Sequence, residues 1–385
     1  MKKFVLLMVS ILIINIFSMS VWAEETTLIP SAVSGLLMDV DSGKVLFEKN
    51  IDKEVAVASM TKMMAQILIL EKIEAKEIKW TDVVTVSKNA ADMGGSQIYI
   101  AEGEKITIED LMKGISMASG NDATVAMAEV IAGSEAKFVG MMNKKAKELG
   151  LKNTSFKNCT GLDEEGHYSS ARDMATIARE LVTKHPEIFR FSAIYEDYLR
   201  EDSKNKFWLV NTNKLVHFYE GADGLKTGHT DNAGYCLAAT AKRNGLRLLA
   251  IVLGEKDATT RNSETLKLLD YGFSRVKTKT LKNQGDIIKK IKLDKATSEI
   301  VNIVLKDDLL ITEFVGETSK KYSYKTKLNK FKLPVKKNEV VGKIQVLYKN
   351  KVVKEADLTV SKSIKSLGYF ELLGNELEDL ILGEF

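Results

Sequence analysis

The chain has 385 residues, 45% of them apolar and 28% charged, with 25 Gly, 3 Pro and 2 Cys. Those proportions describe a folded protein with material for about two domains, and they exclude a disordered chain, a polytopic membrane protein and a disulfide-built scaffold. A net charge of +4, interleaved along the sequence, gives no footprint for nucleic acid, and four His with two Cys at no ligand spacing give none for a metal.

In chain order, residues 1–23 carry the pattern of a secretory signal. Lys2 and Lys3 precede an apolar run over residues 4–17, and Val21-Trp22-Ala23 offers the small or branched side chains a signal peptidase reads. A chain cut there begins at Glu24 and works outside the cytoplasm. Residues 34–50 alternate as a β-hairpin about Asp41-Ser42-Gly43. Residues 59–78 predict a helix whose Met60, Met63, Met64, Ile67, Leu68 and Leu70 leave almost no polar face, which marks a buried helix. Helical spacing also occupies 108–118, 122–131, 136–149 and 171–183. Near Leu225 the period changes to two, and runs at 235–241 and 246–253 flank Arg243-Asn244-Gly245, a strong hairpin signal.

Strands at both ends of a segment with helices between them predict one antiparallel sheet assembled from distant pieces and covered by helices. That segment is residues 24–275, an α/β (more strictly α+β) domain. Residues 276–360 show short alternating runs, such as 300–305 and 343–348, and predict a small all-β domain. Residues 361–385 space Ile364, Leu367, Phe370, Leu373, Leu377, Leu380 and Ile381 by threes and fours, an amphipathic helix suited to a membrane surface or to packing on protein.

Charge separates the same pieces. Residues 24–275 hold 32 Lys and Arg against 37 acids, 276–360 hold 20 Lys and no Arg against 10 acids, and the tail holds 2 Lys against 5 acids. The Lys-rich domain suits anionic wall polymers or lipid headgroups as well as plain solvation. The acidic tail matches an anionic bilayer poorly. Cys159, in a polar loop, and Cys236, in an apolar run, read as two unpaired thiols. His167, His185 and His217 stand in polar surroundings and read as surface residues. Arg172 and Asp173, at a helix start, read as structural.

Three short motifs carry chemistry. Ser59-Met60-Thr61-Lys62 opens the apolar helix, Ser119-Gly120-Asn121 follows a helical block, and Lys226-Thr227-Gly228 opens the late strands. Each alone is common; their order on these elements, behind an export signal, is specific. A serine hydroxyl needs a base within hydrogen-bond reach. At i and i+3 of a helix, Ser59 and Lys62 share a face, so the amine meets the hydroxyl. Lys62 is a base only if burial and a second cation lower its pKa, and Lys226 is placed to be that cation. Ser119 would pass a proton to the leaving amine, and Asn121 would position Lys62 or the substrate amide. The Ser59 N–H, at a helix N-terminus, would steady developing negative charge.

The sequence resembles the low-molecular-mass penicillin-binding proteins that are serine-type D-alanyl-D-alanine carboxypeptidases. The likeness rests on these motifs in their wider forms: Val57-Ala58-Ser59-Met60-Thr61-Lys62, Ser119-Gly120-Asn121-Asp122-Ala123, Ser170-Ala171-Arg172-Asp173-Met174-Ala175 and Asp223-Gly224-Leu225-Lys226-Thr227-Gly228-His229-Thr230. It implies a penicillin-binding, β-lactamase-like fold and a Ser59 acyl-enzyme with Lys62 as proton acceptor and Ser119 as second serine. It further implies that Lys226 and Thr227 hold the substrate carboxylate, and that the His229 N–H joins that of Ser59 as oxyanion hole. Expected partners are peptidoglycan stem peptides ending in D-Ala-D-Ala, β-lactams as inhibitors, and a membrane surface through the tail; no cofactor, metal or nucleic acid is expected. Two rivals stand beside this reading. A class A-like β-lactamase needs a deacylating Glu, and Glu164 and Glu165 lack its usual Asn companion. A catalytically silent wall-binding protein fits poorly with intact Ser59, Lys62 and Ser119. The tail departs from the more basic anchor of the family.

Overall fold

The computed structural model describes residues 28–201, 205–293, 296–298, 300–315, 320–330 and 332–368. The expected signal at 1–23 and residues 369–385 of the expected tail helix lie outside them. The chain divides into two compact units, Met1–Ser274 and Arg275–Phe385.

The first unit begins with a hairpin, β1 (Ser34–Asp39) and β2 (Val45–Lys49), followed by helix α1 (Lys62–Glu74). A short ribbon, β3 (Val83–Thr85) and β4 (Lys105–Thr107), precedes helices α2 (Ile108–Lys113), α3 (Asn121–Ala132), α4 (Glu135–Glu148) and α5 (Ala171–Lys184). A second ribbon, β5 (Glu196–Leu199) and β6 (Phe207–Val210), leads to β7 (Ala222–Thr230), β8 (Gly234–Arg243), β9 (Leu246–Glu255) and helix α6 (Ala258–Arg275).

Five strands form one antiparallel sheet in the order β2-β1-β9-β8-β7. The two ends of the segment meet in it as expected, with Leu37 between Phe47 and Ala250. The β8–β9 turn holds because Asn244 and Gly245 both take positive φ, 47° and 79°, which matches the twist of the strands. Residues Lys62 to Leu70 of α1 are buried on every side, as an all-round apolar sequence requires. Around them pack Met127, Phe138, Met174, Ile177 and Ile251. Ser134 caps α4 and Ser170 caps α5, each accepting an N–H three residues on. Asp173 accepts from the Asn153 N–H and the Thr154 hydroxyl, and Arg172 pairs with Asp52 at 2.6 Å, so both are structural.

Four expectations change. The long helix α6 has no counterpart in the sequence reading, because polar residues dilute its stripe. His167 and His185 are buried, His167 between Thr61 at 2.8 Å and the Lys157 N–H at 3.2 Å and His185 against Glu74 at 2.8 Å; His217 is exposed as expected. The helix expected over 59–78 starts with a 3-10 turn at Ala58–Thr61 and ends at Glu74. The tail is the fourth case. Residues 361–368 are not helical: Ile364 pairs with Val335 through two backbone hydrogen bonds (2.8 and 2.9 Å) and is buried in the core of the second unit, so its apolar side chain serves a β-structure. Cys159 and Cys236 are unpaired, and both are buried.

The second unit is all β. Its strands are β10 (Val276–Lys282), β11 (Ile287–Lys292), β12 (Ile300–Leu305), β13 (Leu309–Phe314), β14 (Ser323–Leu328), β15 (Gly342–Tyr348) and β16 (Lys351–Val360). β10 pairs with β13, and the rest form a sheet in the order β11-β12-β16-β15-β14 around Ile303, Val335, Ile344, Leu358 and Val360. Among the described residues, no helix is long and apolar enough to cross a membrane.

Candidate active site

Ser59 sits in the 3-10 turn that runs into α1, so Lys62 follows it by one turn. Lys62 is fully buried, and its Nζ reaches three oxygens: Ser59 Oγ at 2.7 Å, Asn121 Oδ1 at 2.6 Å and the Thr160 carbonyl at 2.7 Å. An ammonium has three donors, so the charged form is fully satisfied. The neutral amine has two, and both carbonyl oxygens can only accept. Its lone pair is left facing the Ser59 hydroxyl.

Asn121 is held for this task at the start of α3. Its N–H donates to the Ser96 carbonyl and its Nδ2 to the Gly94 carbonyl, both at 2.7 Å, which leaves Oδ1 for Lys62. Asp122 keeps that loop in place by accepting the N–H groups of Ile98 and Ile100. Ser119 ends a π-turn (Gly114–Ala118) in the left-handed region at φ 63°, a rare conformation for a side-chain-bearing residue. It is 4% exposed, and its Oγ has no hydrogen-bond partner among the described residues. Buried hydroxyls nearly always have a partner, so Ser119 is unusual.

Lys226, Thr227 and Gly228 lie on β7, the end strand of the sheet. A Cβ on Gly228 would stand 2.7 Å from the Val57 carbonyl and 3.3 Å from the Met60 nitrogen, so glycine lets the strand press against the Ser59 turn. Lys226 is 1% exposed and donates to the Thr227 carbonyl at 3.0 Å; Thr227 donates to Thr212 Oγ1 at 2.8 Å. His229 follows at the exposed rim, its ring 4.0 Å from that of Tyr235.

Burial brings Lys62 down from 10.5 to about 7, against the pull of Cys159 and Asp122. Lys226 is pushed well below its ordinary range by burial first, then by repulsion from Lys62 and Arg261. The sequence assigned the second cation to lowering Lys62; here desolvation does that, and the repulsion is felt at Lys226. An anion brought beside Lys226 would favour its charged form again, since an opposite charge raises a lysine's pKa.

Among the described residues no cluster of three His, Cys, Asp or Glu is placed to hold a metal ion. Sequence reasoning missed Thr160 and Arg261. Thr160 acts through its backbone, which no motif encodes. Arg261, 6% exposed on α6, belongs to the helix that went unread.

Residues 23–257 match the family model for D-alanyl-D-alanine carboxypeptidase. The chain belongs to this carboxypeptidase family. A second model, the C-terminal domain of penicillin-binding protein 5, matches residues 277–366. The carboxypeptidase chain is 42% identical over 379 residues to D-alanyl-D-alanine carboxypeptidase DacF of Bacillus subtilis (strain 168), covering 97% of each. Penicillin-binding protein 5 from Haemophilus influenzae superposes with a TM-score of 0.65 at 32% identity, over 87% of this chain and 98% of its own. Penicillin-binding protein D2 from Listeria monocytogenes, in its ampicillin-bound form, matches with a TM-score of 0.57 at 32% identity, over 63% of this chain and 98% of its own.

Proposed function

We propose that this protein removes the terminal D-Ala from peptidoglycan stem pentapeptides through an acyl-enzyme on Ser59. The observation that carries the reading is the Lys62 amine, whose two carbonyl partners leave its lone pair to the Ser59 hydroxyl. Neutral Lys62 takes the Ser59 proton as Oγ attacks the carbonyl carbon of the penultimate D-Ala. The N–H groups of Ser59 and His229 steady the oxyanion. The C–N bond then breaks, and the proton returns from Lys62 through the unpartnered Ser119 hydroxyl to the departing amine. Water attacks the ester next, again with Lys62 as base. Lys226 and Thr227 hold the free carboxylate, with Arg261 adding positive charge.

A penicillin offers an amide and a carboxylate in the same arrangement and acylates the same serine. The β-lactamase rival lacks support in the geometry. Glu164 and Glu165 are exposed, and where that mechanism needs a carboxylate beside the base, Lys62 meets the Thr160 carbonyl. In this reading residues 24–275 are catalytic, 276–360 form the β domain, and the protein works outside the cytoplasm after loss of residues 1–23. Attachment to the outer face of the cytoplasmic membrane rests on the apolar spacing of residues 369–385.

The test uses protein beginning at Glu24. It releases D-Ala from a synthetic peptide ending in two D-Ala residues and gains the mass of a penicillin, and Ser59→Ala abolishes both. An adduct that turns over within seconds, with the peptide left intact, would favour the β-lactamase instead.

A further inference from the structure

The peptide group between Thr160 and Gly161 is gripped at both ends. Its carbonyl accepts from Lys62 Nζ and its N–H donates to Asn158 Oδ1, each at 2.7 Å. Asn158 Oδ1 also accepts from the N–H and hydroxyl of Thr160, both at 3.2 Å. The other half of the same amide, Nδ2, donates to the Leu162 carbonyl at 3.0 Å and to Glu164 Oε2 at 2.9 Å. The N–H of Cys159 is taken by Glu135 at 3.1 Å. Gly161 stands at φ 85°, and a Cβ there would lie 1.9 Å from the Ala58 carbonyl, so the position admits glycine alone. Glycine imposes little preference of its own on the peptide plane before it. The plane is set by its partners.

We infer that Asn158 is a positioning residue for acylation: by holding the Gly161 N–H it aims the Thr160 carbonyl at Lys62, and so fixes the direction of the Lys62 lone pair. The inference rests on the assignment of Lys62 as the base for Ser59. A neutral amine with two fixed acceptors has one orientation. If the Thr160 carbonyl turns away, the amine spins about its Cε–Nζ bond, an N–H can face Ser59 in place of the lone pair, and a buried donor is left without its acceptor. Asn158 needs no contact with substrate for this effect. Nothing in the three motifs marks it, because its work is done through one peptide plane.

The experiment compares wild type, Asn158→Ala and Asn158→Asp by stopped flow with a chromogenic cephalosporin, separating non-covalent binding from the acylation step and counting folded protein by its thermal melt. Aspartate keeps the acceptor for the Gly161 N–H and is made together with Glu164→Gln, so that no second carboxylate faces it; alanine removes the acceptor. Asn158→Ala is expected to slow acylation about 10²-fold, the cost of misplacing a reacting group, with the non-covalent constant changed less than about threefold. Asn158→Asp is expected to recover most of the rate. A folded Asn158→Ala that acylates as fast as wild type overturns the inference, as does an Asn158→Asp as slow as the alanine variant. If Asn158→Ala does not fold, a folded Asn158→Asp that has lost the rate overturns it alone. Wild type that never acylates removes the Ser59–Lys62 reading itself, and this inference with it.

Discussion

The acylation rate constant of the free enzyme is expected to gain about tenfold per pH unit up to near neutrality and then to level off. The perturbation is pH alone, and the size of the effect follows from burial of Lys62. At an ordinary 10.5, roughly three amines in 10⁴ would be neutral at pH 7; at about 7, roughly half are. Desolvation therefore supplies about a 10³-fold gain in available base, equivalent to about 4 kcal/mol. Lys226 is lowered as well, by burial first and then by Lys62, so the two lysines titrate as a pair. The same shift has a stability sign. A lysine depressed in the fold binds fewer protons than in the unfolded chain between about 7 and 10.5, so its burial penalty is full below about pH 7 and fades as pH rises to 10.5. Stopped-flow acylation by a cephalosporin from pH 5 to 9 measures the profile. Lys62→Arg, whose guanidinium stays charged, should lose acylation across that range. A flat profile, or a rising limb centred at pH 9 or above, would refute the reasoning.

Ser59→Ala should leave the melting temperature within a degree or two while abolishing the adduct seen by mass spectrometry; a labelled alanine variant would mean another nucleophile. Glu164→Gln and Glu165→Gln should leave release of the bound β-lactam within about twofold, because both side chains are exposed; a stalled acyl-enzyme would revive the β-lactamase reading. Gly161→Ala should cost at least about 2 kcal/mol, since left-handed φ and a backbone clash combine, and a melt equal to wild type would contradict the close approach to Ala58. Glu255, 1% exposed beside Glu264, is raised from 4.5 to about 8, chiefly by burial. It stays protonated in the fold, so wild-type stability should fall as pH climbs from about 4.5 to 8, and Glu255→Gln should lose most of that slope in thermal melts; parallel curves would rule the effect out.

What the sequence could show follows from what its chemistry encodes. Ser59 and Lys62 were legible because a helix turns a three-residue spacing into a contact. The sheet was legible because strands declare themselves by period and by Asn244-Gly245. Thr160 was not, since its contribution is a carbonyl that every residue owns, and only the folded loop aims it. Arg261 hid in a helix too polar to recognise. His167 and His185 looked superficial because their neighbours in sequence are polar, whereas their partners, Thr61 and Glu74, come from a distant segment. Ile364 matched a helical stripe and turned out to close a β-core: apolar spacing says that a side chain will be buried, not against what.

The order of strands in the catalytic sheet has a temporal consequence. Ser59 and Lys62 lie near the start of the chain, whereas Lys226, Thr227 and the strand that presses on the Ser59 turn are synthesised far later. Until β7 and β9 arrive, β1 lacks its β9 neighbour and the Ser59 turn lacks the strand that packs against it. A chain cut before β7 lacks Lys226, Thr227 and the strand against the Ser59 turn, although the Lys62 partners Asn121 and Thr160 are already present in it.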